Sequence, residues 1–427
     1  MNSFDVFDTL IARRYINNER ILRNMGYVFD VSNFYERRTL ADNGQRNLYQ
    51  IYEALVEGGF VPADKSDAML HYEIEQEIEN AIPIQKNIDR VQDGDVLVSD
   101  MYLPAYAIMA MVRACGMNKQ VTLYQSNGGK ASGHVWANFK PKLHLGDNKH
   151  SDVEMPKRFG VRAEYYQPDL EPCSTHLELL KREIKLADAN EDNLTDVARE
   201  HNLTFLFATC EYLHRTYKDV DFVFLGRDCF LMHKIYTAYY GTATYLPFSR
   251  KVAKDNPELA THYLKSQSPK DAMFIDISST GATWEKINDV PITVAFYSDI
   301  YHYTPEKPTL SPRFNYIMKS SEFGQTNLIL EMFNCADHGQ LSEIKLHGDT
   351  VLSTCFEKPE LPTEYIQFFH KPIYKAAELA KIYRWNIRGE FASYSIDKLK
   401  EMIAFSAMAI CSREDLMHIA QYMESKS

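Results

Sequence analysis

Short apolar segments alternate with helical stretches along this chain, and that alternation limits the folds open to it. Five such segments fall in the first half: Ser3–Phe7, Asp95–Ser99, Val121–Tyr124, Leu143–Leu145 and Ala163–Tyr166. Helical stretches near 104–115, 130–138 and 152–159 connect them, and a long, mostly helical insertion spans 13–90. A second series follows at Asp221–Leu225, Thr244–Phe248, Ala272–Asp276 and Ile292–Phe296, with a helical run over 190–217 before it and a helical tail over 361–425 after it. Short strands joined by helices predict parallel sheets. The expectation is therefore two α/β domains, 1–170 and 191–427, joined by a linker over 171–190. Hydrophobic residues make up 45% of the 427 and charged residues 25%. These are globular values and exclude a disordered or fibrous chain.

Charge and cysteine usage narrow the setting. Lys and Arg total 47 against 58 Asp and Glu, so the net charge is 47 − 58 = −11. A chain this acidic is not expected to bind nucleic acid by bulk electrostatics. The seven cysteines are widely spaced and contain no CxxC, which fits a reducing cytoplasm better than a zinc ribbon or a disulfide framework. No signal peptide is expected from the Met1-Asn2-Ser3-Phe4-Asp5 start, and no apolar stretch approaches the roughly 18 residues of a membrane span. The oligomeric state is not legible.

Four polar features follow the strands of the first series. They are Asp5 and Asp8 in Phe4-Asp5-Val6-Phe7-Asp8-Thr9-Leu10, Ser99 in Leu97-Val98-Ser99-Asp100, Lys130 in Gly128-Gly129-Lys130, and Asp147 and Asp152 in Gly146-Asp147-Asn148-Lys149-His150-Ser151-Asp152. An open parallel sheet places its ligands at the carboxyl ends of its strands. A carboxylate can attack phosphorus, provided a metal and cationic groups offset its repulsion with the phosphate. Asp5 is the candidate nucleophile. Asp5 and Asp147 are candidate Mg²⁺ ligands, with Asp152 as a further ligand or as the group that orients the site. Ser99 and Lys130 are candidate phosphate clamps.

This ordered set resembles the haloacid dehalogenase (HAD) superfamily over residues 1 to about 168. The resemblance implies a Rossmann-like parallel sheet with a helical cap over 13–90, and Mg²⁺-dependent phosphatase chemistry through an aspartyl-phosphate. HAD phosphatases usually carry a second aspartate two residues after the nucleophile, as acid/base. Phe7 occupies that position here, and Asp8 is the neighbour able to substitute.

In the second half the run Met273-Phe274-Ile275-Asp276-Ile277-Ser278-Ser279-Thr280-Gly281-Ala282-Thr283 leads from a strand into a hydroxyl-rich loop, with a helix expected near Trp284. Backbone amides at such a helix start bind anions. Ser279, Thr280 and Thr283 add hydroxyls, Gly281 permits close approach, and Asp276 can accept from sugar hydroxyls. Arg227 and Asp228 follow the first strand of this domain, and Ser249, Arg250 and Lys251 the second. The arginines and Lys251 suit a pyrophosphate. Asp228 suits either Mg²⁺ or the activation of an acceptor hydroxyl.

The 273–283 loop resembles the loop of phosphoribosyltransferases that binds 5-phosphoribosyl 1-pyrophosphate (PRPP). That family usually has two adjacent acidic residues where this chain has Ile275-Asp276. The two resemblances together are similar to dual-domain ribofuranosyltransferases of bacterial polysaccharide assembly. They imply phosphoribosyl transfer from PRPP to a glycan or other hydroxyl acceptor, followed by removal of the 5-phosphate. Three alternatives stay open at this point. One is a HAD phosphatase for a small phosphate ester with an accessory domain. Another is a phosphoribosyltransferase acting on a base or nucleic acid. The third is a non-catalytic binding protein.

Overall fold

A computed structural model describes residues 1–126, 128–190, 192–279, 281, 283–287, 290–297, 314–319, 328–348, 350–358 and 362–416. The chain divides into two compact units. The first comprises 1–174 with 185–190, the second 175–184 with 191–427. Residues His176–Leu186 form a helix, so the segment expected as a linker is in part regular structure.

The sheet of the first unit contains β1 (Ser3–Asp5), β4 (Val96–Ser99), β5 (Thr122–Gln125), β6 (His144–Gly146) and β7 (Ala163–Tyr165), in the order β5-β4-β1-β6-β7. Every pairing is parallel. All residues of β1, β4 and β6 are buried, and β4, Val96-Leu97-Val98-Ser99, reads as a short apolar run for that reason. The order reverses direction between β1 and β6. At such a switch point the connections diverge and leave a crevice at the carboxyl edge.

The insertion holds helices Glu19–Val28, Phe34–Ala41, Leu48–Glu57 and Ala63–Asn80, as expected from its pattern. It also contains an antiparallel pair, β2 (Ile11–Arg13) with β3 (Ala81–Pro83), where the chain enters and leaves the insertion. Asn47 and Gln50 form a reciprocal capping box that starts the third helix. A buried polar network crosses the insertion. Arg38 binds Glu73 through two nitrogens at 2.8 and 3.2 Å, and the Tyr52 hydroxyl donates to the same carboxylate at 2.9 Å. Arg13 makes the equivalent fork with Glu77 at 2.8 and 3.0 Å.

In the second unit β8 (Phe222–Leu225), β9 (Thr244–Leu246), β10 (Met273–Ser279), β11 (Ile292–Tyr297) and β12 (Phe314–Lys319) form another parallel sheet, ordered β12-β11-β10-β8-β9. Its switch point lies between β8 and β10. A hairpin, β13 (Leu341–His347) with β14 (Thr350–Phe356), and the helix Leu328–Asn334 were not expected from the pattern. Helices Thr363–Glu378, Ala380–Ser393 and Ile396–Cys411 make the helical tail. The expected stretch 417–425 lies outside the described residues. No described helix is long and apolar enough to cross a membrane.

The insertion network gives a stability test. Removing one partner of a buried, hydrogen-bonded ion pair leaves the other charge uncompensated. Glu73→Ala is expected to cost about 3–5 kcal/mol in urea unfolding. The double variant Arg38→Met/Glu73→Leu is expected to recover most of that loss.

Candidate functional site

Asp5 is the last residue of β1, and Asp147 follows the last residue of β6, directly across the switch point of the first sheet. Asp152 lies on a π-helical turn, Lys149–Glu154, which begins at Asn148. One carboxylate oxygen from each of Asp5, Asp147 and Asp152 falls within a 4.8 Å cluster. Gly146 makes this possible: a Cβ at that position would stand 2.5 Å from the Asp152 Cβ. The Thr9 hydroxyl lies 3.4 Å from both Asp5 Oδ2 and Asp147 Oδ1 and bridges them.

Lys130 is the cation that balances this group. It stands on a short turn, Gly129–Ser132, and is buried. Its Nζ is 2.5 Å from Asp5 Oδ1 and 2.9 Å from Asp152 Oδ1. The turn is held from outside the cluster. Asp100 accepts from the Lys130 backbone amide at 3.1 Å and from the Ser126 hydroxyl at 2.5 Å. The Trp136 indole N–H reaches the carbonyls of Lys130 and Ser151, both at 3.2 Å. Behind Asp152, His144 Nε2 lies 3.2 Å from Oδ1, and His144 Nδ1 lies 2.8 Å from the Ser3 hydroxyl. Asp152 Oδ2 accepts from the Asn148 amide at 3.1 Å. Both oxygens of Asp152 are engaged, and Oδ1 pairs with Lys130.

The carboxylates differ in their protonation. Burial pushes the Asp5 carboxyl up; Lys130 pulls it down and Asp152 and Asp147 push it up again, to about 7. Burial also raises Asp147. Burial acts the same way on Asp152, but the His144 hydrogen bond and the Lys130 charge outweigh it and hold Asp152 at about 2. Lys130 is disfavoured by burial yet stays above the usual lysine range because Asp5 and Asp152 flank it. The donor set fits Mg²⁺: hard carboxylate oxygens from Asp5 and Asp147 lie together, and burial raises both carboxyls.

The other residues expected in this site take distinct places. Ser99 ends β4, is buried, and accepts from the Met101 amide at 3.2 Å. Asp8 has a left-handed backbone, φ 55°, and its charge acts on both Asp147 and Arg13. The Arg13 guanidinium lies 5.0 Å from the centre of the Phe7 ring. His144, Thr9, Asp100 and Trp136 were not singled out from the sequence. Only the spacing of Asp100 directly after Ser99 hinted at one of them.

The second sheet carries another charged cluster at its switch point. Arg227 and Asp228 follow β8, and Asp276 lies within β10. Gly226, with φ +70°, lets the Asp228 Oδ1 lie 3.3 Å from where a Cβ would stand. The Cys229 thiol donates to the Ile275 carbonyl at 3.3 Å, burial raises it well above the usual thiol range, and its sulfur lies within 4.8 Å of carboxylate oxygens of Asp228 and Asp276. Glu331, on the helix Leu328–Asn334, joins the group. Burial and the Asp228 charge raise it to about 7, against Arg250, a Ser278 hydrogen bond and Arg227. Burial raises Asp228 to about 6, against Arg227 and Arg250. Asp276 goes well above the carboxylate range through burial, Asp228 and Glu331. Nothing in the sequence pointed to Glu331, which sits 55 residues beyond Asp276.

The expected loop is only partly as read. β10 continues to Ser279, so Asp276 is inside the strand and not at its end. Among the described residues a single 3₁₀ turn, Trp284–Lys286, stands where a helix was expected. Ser279 Oγ accepts from the Gly281 amide at 3.1 Å, Gly281 has φ +86°, and Thr283 precedes the turn. Thr280 lies outside the described residues. Ser249 caps the helix Arg250–Asp255 and donates to the Leu341 carbonyl at 2.6 Å, a structural use. Lys251 is paired with Glu357 at 3.0 Å, whereas Arg227 and Arg250 are the cations that act on the carboxylates.

A scan against protein-family models finds no match, and a search of curated proteins finds none either.

Two outcomes are expected for the first site. Because Asp5 is raised, the metal-free protein takes up a proton there on folding and loses stability as pH rises from about 4 to 7. Mg²⁺ must displace that proton, so its stabilising effect should grow between pH 6 and pH 8 and vanish in Asp5→Asn. Thermal melts with and without MgCl₂ check this. Gly146→Ala is expected to cost about 1–3 kcal/mol, read by urea unfolding, because the Asp152 side chain must shift.

Proposed function

We propose that the chain is a two-step ribofuranosyltransferase, in which the second unit transfers a phosphoribosyl group from PRPP to a hydroxyl acceptor, such as a glycan, and the first removes the 5-phosphate. The observation that carries the reading is the cluster of Asp5, Asp147, Asp152 and Lys130 at the carboxyl edge of the first sheet. Carboxylates beside an ammonium are the kind of set that phosphoryl transfer needs, and this supports the reading. The resemblance of the Asp5, Ser99, Lys130 and Asp147 segments to the HAD superfamily supports it.

In the first unit Asp5 and Asp147 would hold Mg²⁺, which would supply charge neutralisation at the phosphate. Asp5 is the nucleophile: its carboxylate oxygen forms the bond to phosphorus as the sugar oxygen leaves. Lys130 and Ser99 hold the remaining phosphate oxygens. Asp152 and His144 keep Lys130 charged and in place. Phe7 cannot transfer a proton, so Asp8 protonates the leaving oxygen and then deprotonates the water that clears the aspartyl-phosphate. In the second unit Arg227 and Arg250 stabilise departing pyrophosphate and Asp276 accepts from ribose hydroxyls, while the acceptor oxygen bonds to the ribosyl carbon as its proton passes to Asp228.

A second reading is favoured by one observation. The loop after β10 has only a 3₁₀ turn behind it, where an anion-binding helix start would strengthen a PRPP site. On that reading the chain hydrolyses a small phosphate ester and the second unit only recognises it.

Phosphorus NMR separates the two. The protein is mixed with PRPP and Mg²⁺, with and without sugar and nucleoside acceptors. The transferase reading expects acceptor-dependent pyrophosphate release that falls at least tenfold in Asp228→Asn, and 5-phosphate loss that falls at least 100-fold in Asp5→Asn. Phosphate release from ribose 5-phosphate without pyrophosphate would establish the second reading instead.

A further inference from the structure

Two polar side chains, Ser3 and His144, are buried behind the carboxylates of the first site. Ser3 opens β1, His144 opens β6, and the two are register partners across the parallel pairing. Both are fully buried. A hydroxyl and an imidazole inside a parallel sheet are costly unless they are hydrogen-bonded, and apolar residues usually fill such positions. Here they meet each other: Ser3 Oγ and His144 Nδ1 lie 2.8 Å apart.

The contacts continue from there to the site. His144 Nε2 is 3.2 Å from Asp152 Oδ1. The same oxygen is 2.9 Å from Lys130 Nζ, which is 2.5 Å from Asp5 Oδ1. Residues two apart on a strand share a face, so Ser3 and Asp5 stand on one side of β1. The series of contacts therefore leaves β1 at Ser3 and returns to it at Asp5, and all five residues are buried. The Trp136 ring packs against the imidazole with centroids 4.6 Å apart, which restrains the imidazole from turning.

The direction of each hydrogen bond follows from the groups. An ionised carboxylate only accepts, so Nε2 must carry a hydrogen to bond Asp152. In a neutral ring Nδ1 is then an acceptor, and the Ser3 hydroxyl is its donor. The opposite tautomer would turn a nitrogen lone pair toward Asp152 Oδ1 and repel the oxygen that meets Lys130. Without the Ser3 hydroxyl, the useful tautomer would leave a buried acceptor unsatisfied. We infer that Ser3 and His144 are positioning residues of the first site, the Ser3 hydroxyl donating to Nδ1 so that the Nε2 hydrogen holds Asp152 and, through it, aims the Lys130 ammonium at Asp5. This rests on the reading of Asp5 as the nucleophile of a phosphatase and adds Ser3 to the residues that serve it.

The kinetic test uses the full chain in MgCl₂ and measures phosphate release from p-nitrophenyl phosphate and ribose 5-phosphate. Ser3→Ala and His144→Leu are expected to lower kcat about tenfold and to leave KM within about twofold, because they misplace Lys130 beside the nucleophile. Ser3→Thr returns the hydroxyl, and His144→Gln carries an amide N–H toward Asp152; each is expected to recover most of the loss. Thermal melts of every variant give the folded fraction, so a loss of stability is not read as a loss of rate. A second readout needs no activity. Histidine rings labelled with a nitrogen isotope in the metal-free protein report their tautomers in proton–nitrogen correlation spectra, and the His144 signals are those missing in His144→Gln. The Nε2–H tautomer is expected in wild type and a mixture in Ser3→Ala. An Nδ1–H ring or a doubly protonated ring in wild type, or an unchanged kcat in Ser3→Ala, would overturn the inference and leave the phosphatase reading standing. Hydrolysis of neither ester by wild type, with the Nε2–H tautomer present, would instead remove the phosphatase reading and the positioning role with it.

Discussion

A single buried ammonium makes the first site possible. Asp5, Asp147 and Asp152 converge in a space where three ionised carboxylates would repel one another strongly. Lys130 answers two of them at once, at 2.5 and 2.9 Å. A lysine buried without partners would shed its proton; here the flanking carboxylates hold it charged. His144 and the Asn148 amide commit Asp152 to that task, while Thr9 ties Asp5 to Asp147. The result is a division of labour among chemically identical groups. Asp152 is held low, whereas Asp5 and Asp147 are raised.

The second site solves the same problem with different residues. Its cations are guanidinium groups after β8 and β9, and its third carboxylate comes from a helix rather than from a strand end. Guanidinium groups are planar, permanently charged and suited to bidentate anion recognition, while an ammonium acts as a compact point charge. The pairing of Lys130 with a candidate nucleophile and of two arginines with carboxylates therefore separates the sites chemically. Topology places them alike. The two sheets have different strand orders, yet each gathers its carboxylates where the order reverses.

The strands were legible because parallel strands covered on both faces are short, unbroken and apolar. Their ends carried Asp5, Ser99, Asp147 and Asp228, so the residues nearest a strand were legible too. Lys130 was legible as a cation in a glycine-rich turn, but its partnership with Asp152, 22 residues on, was not, because it depends on the π-helical turn after β6. Glu331 was opaque for a similar reason. An isolated glutamate in a helical segment carries no local mark, and its role arises from a tertiary approach to Ser278 and Asp228. The helix expected near Trp284 failed because Ser and Thr beside a glycine serve a tight turn as readily as a helix cap; Ser279 folds back on the Gly281 amide instead.

Phe7 ties the first site to the insertion above it. The Arg13 guanidinium lies 5.0 Å from the centre of its ring and forks onto Glu77. Glu77 lies on the same helix as Glu73, which holds Arg38, and Tyr102 lies beneath the Arg38 guanidinium at 4.7 Å. Tyr102 itself belongs to the segment that follows Ser99. The charge network of the insertion thus touches the site through two chain segments, one after β1 and one after β4. Asp8 completes the connection, since its charge acts on Asp147 in the site and on Arg13 in the network.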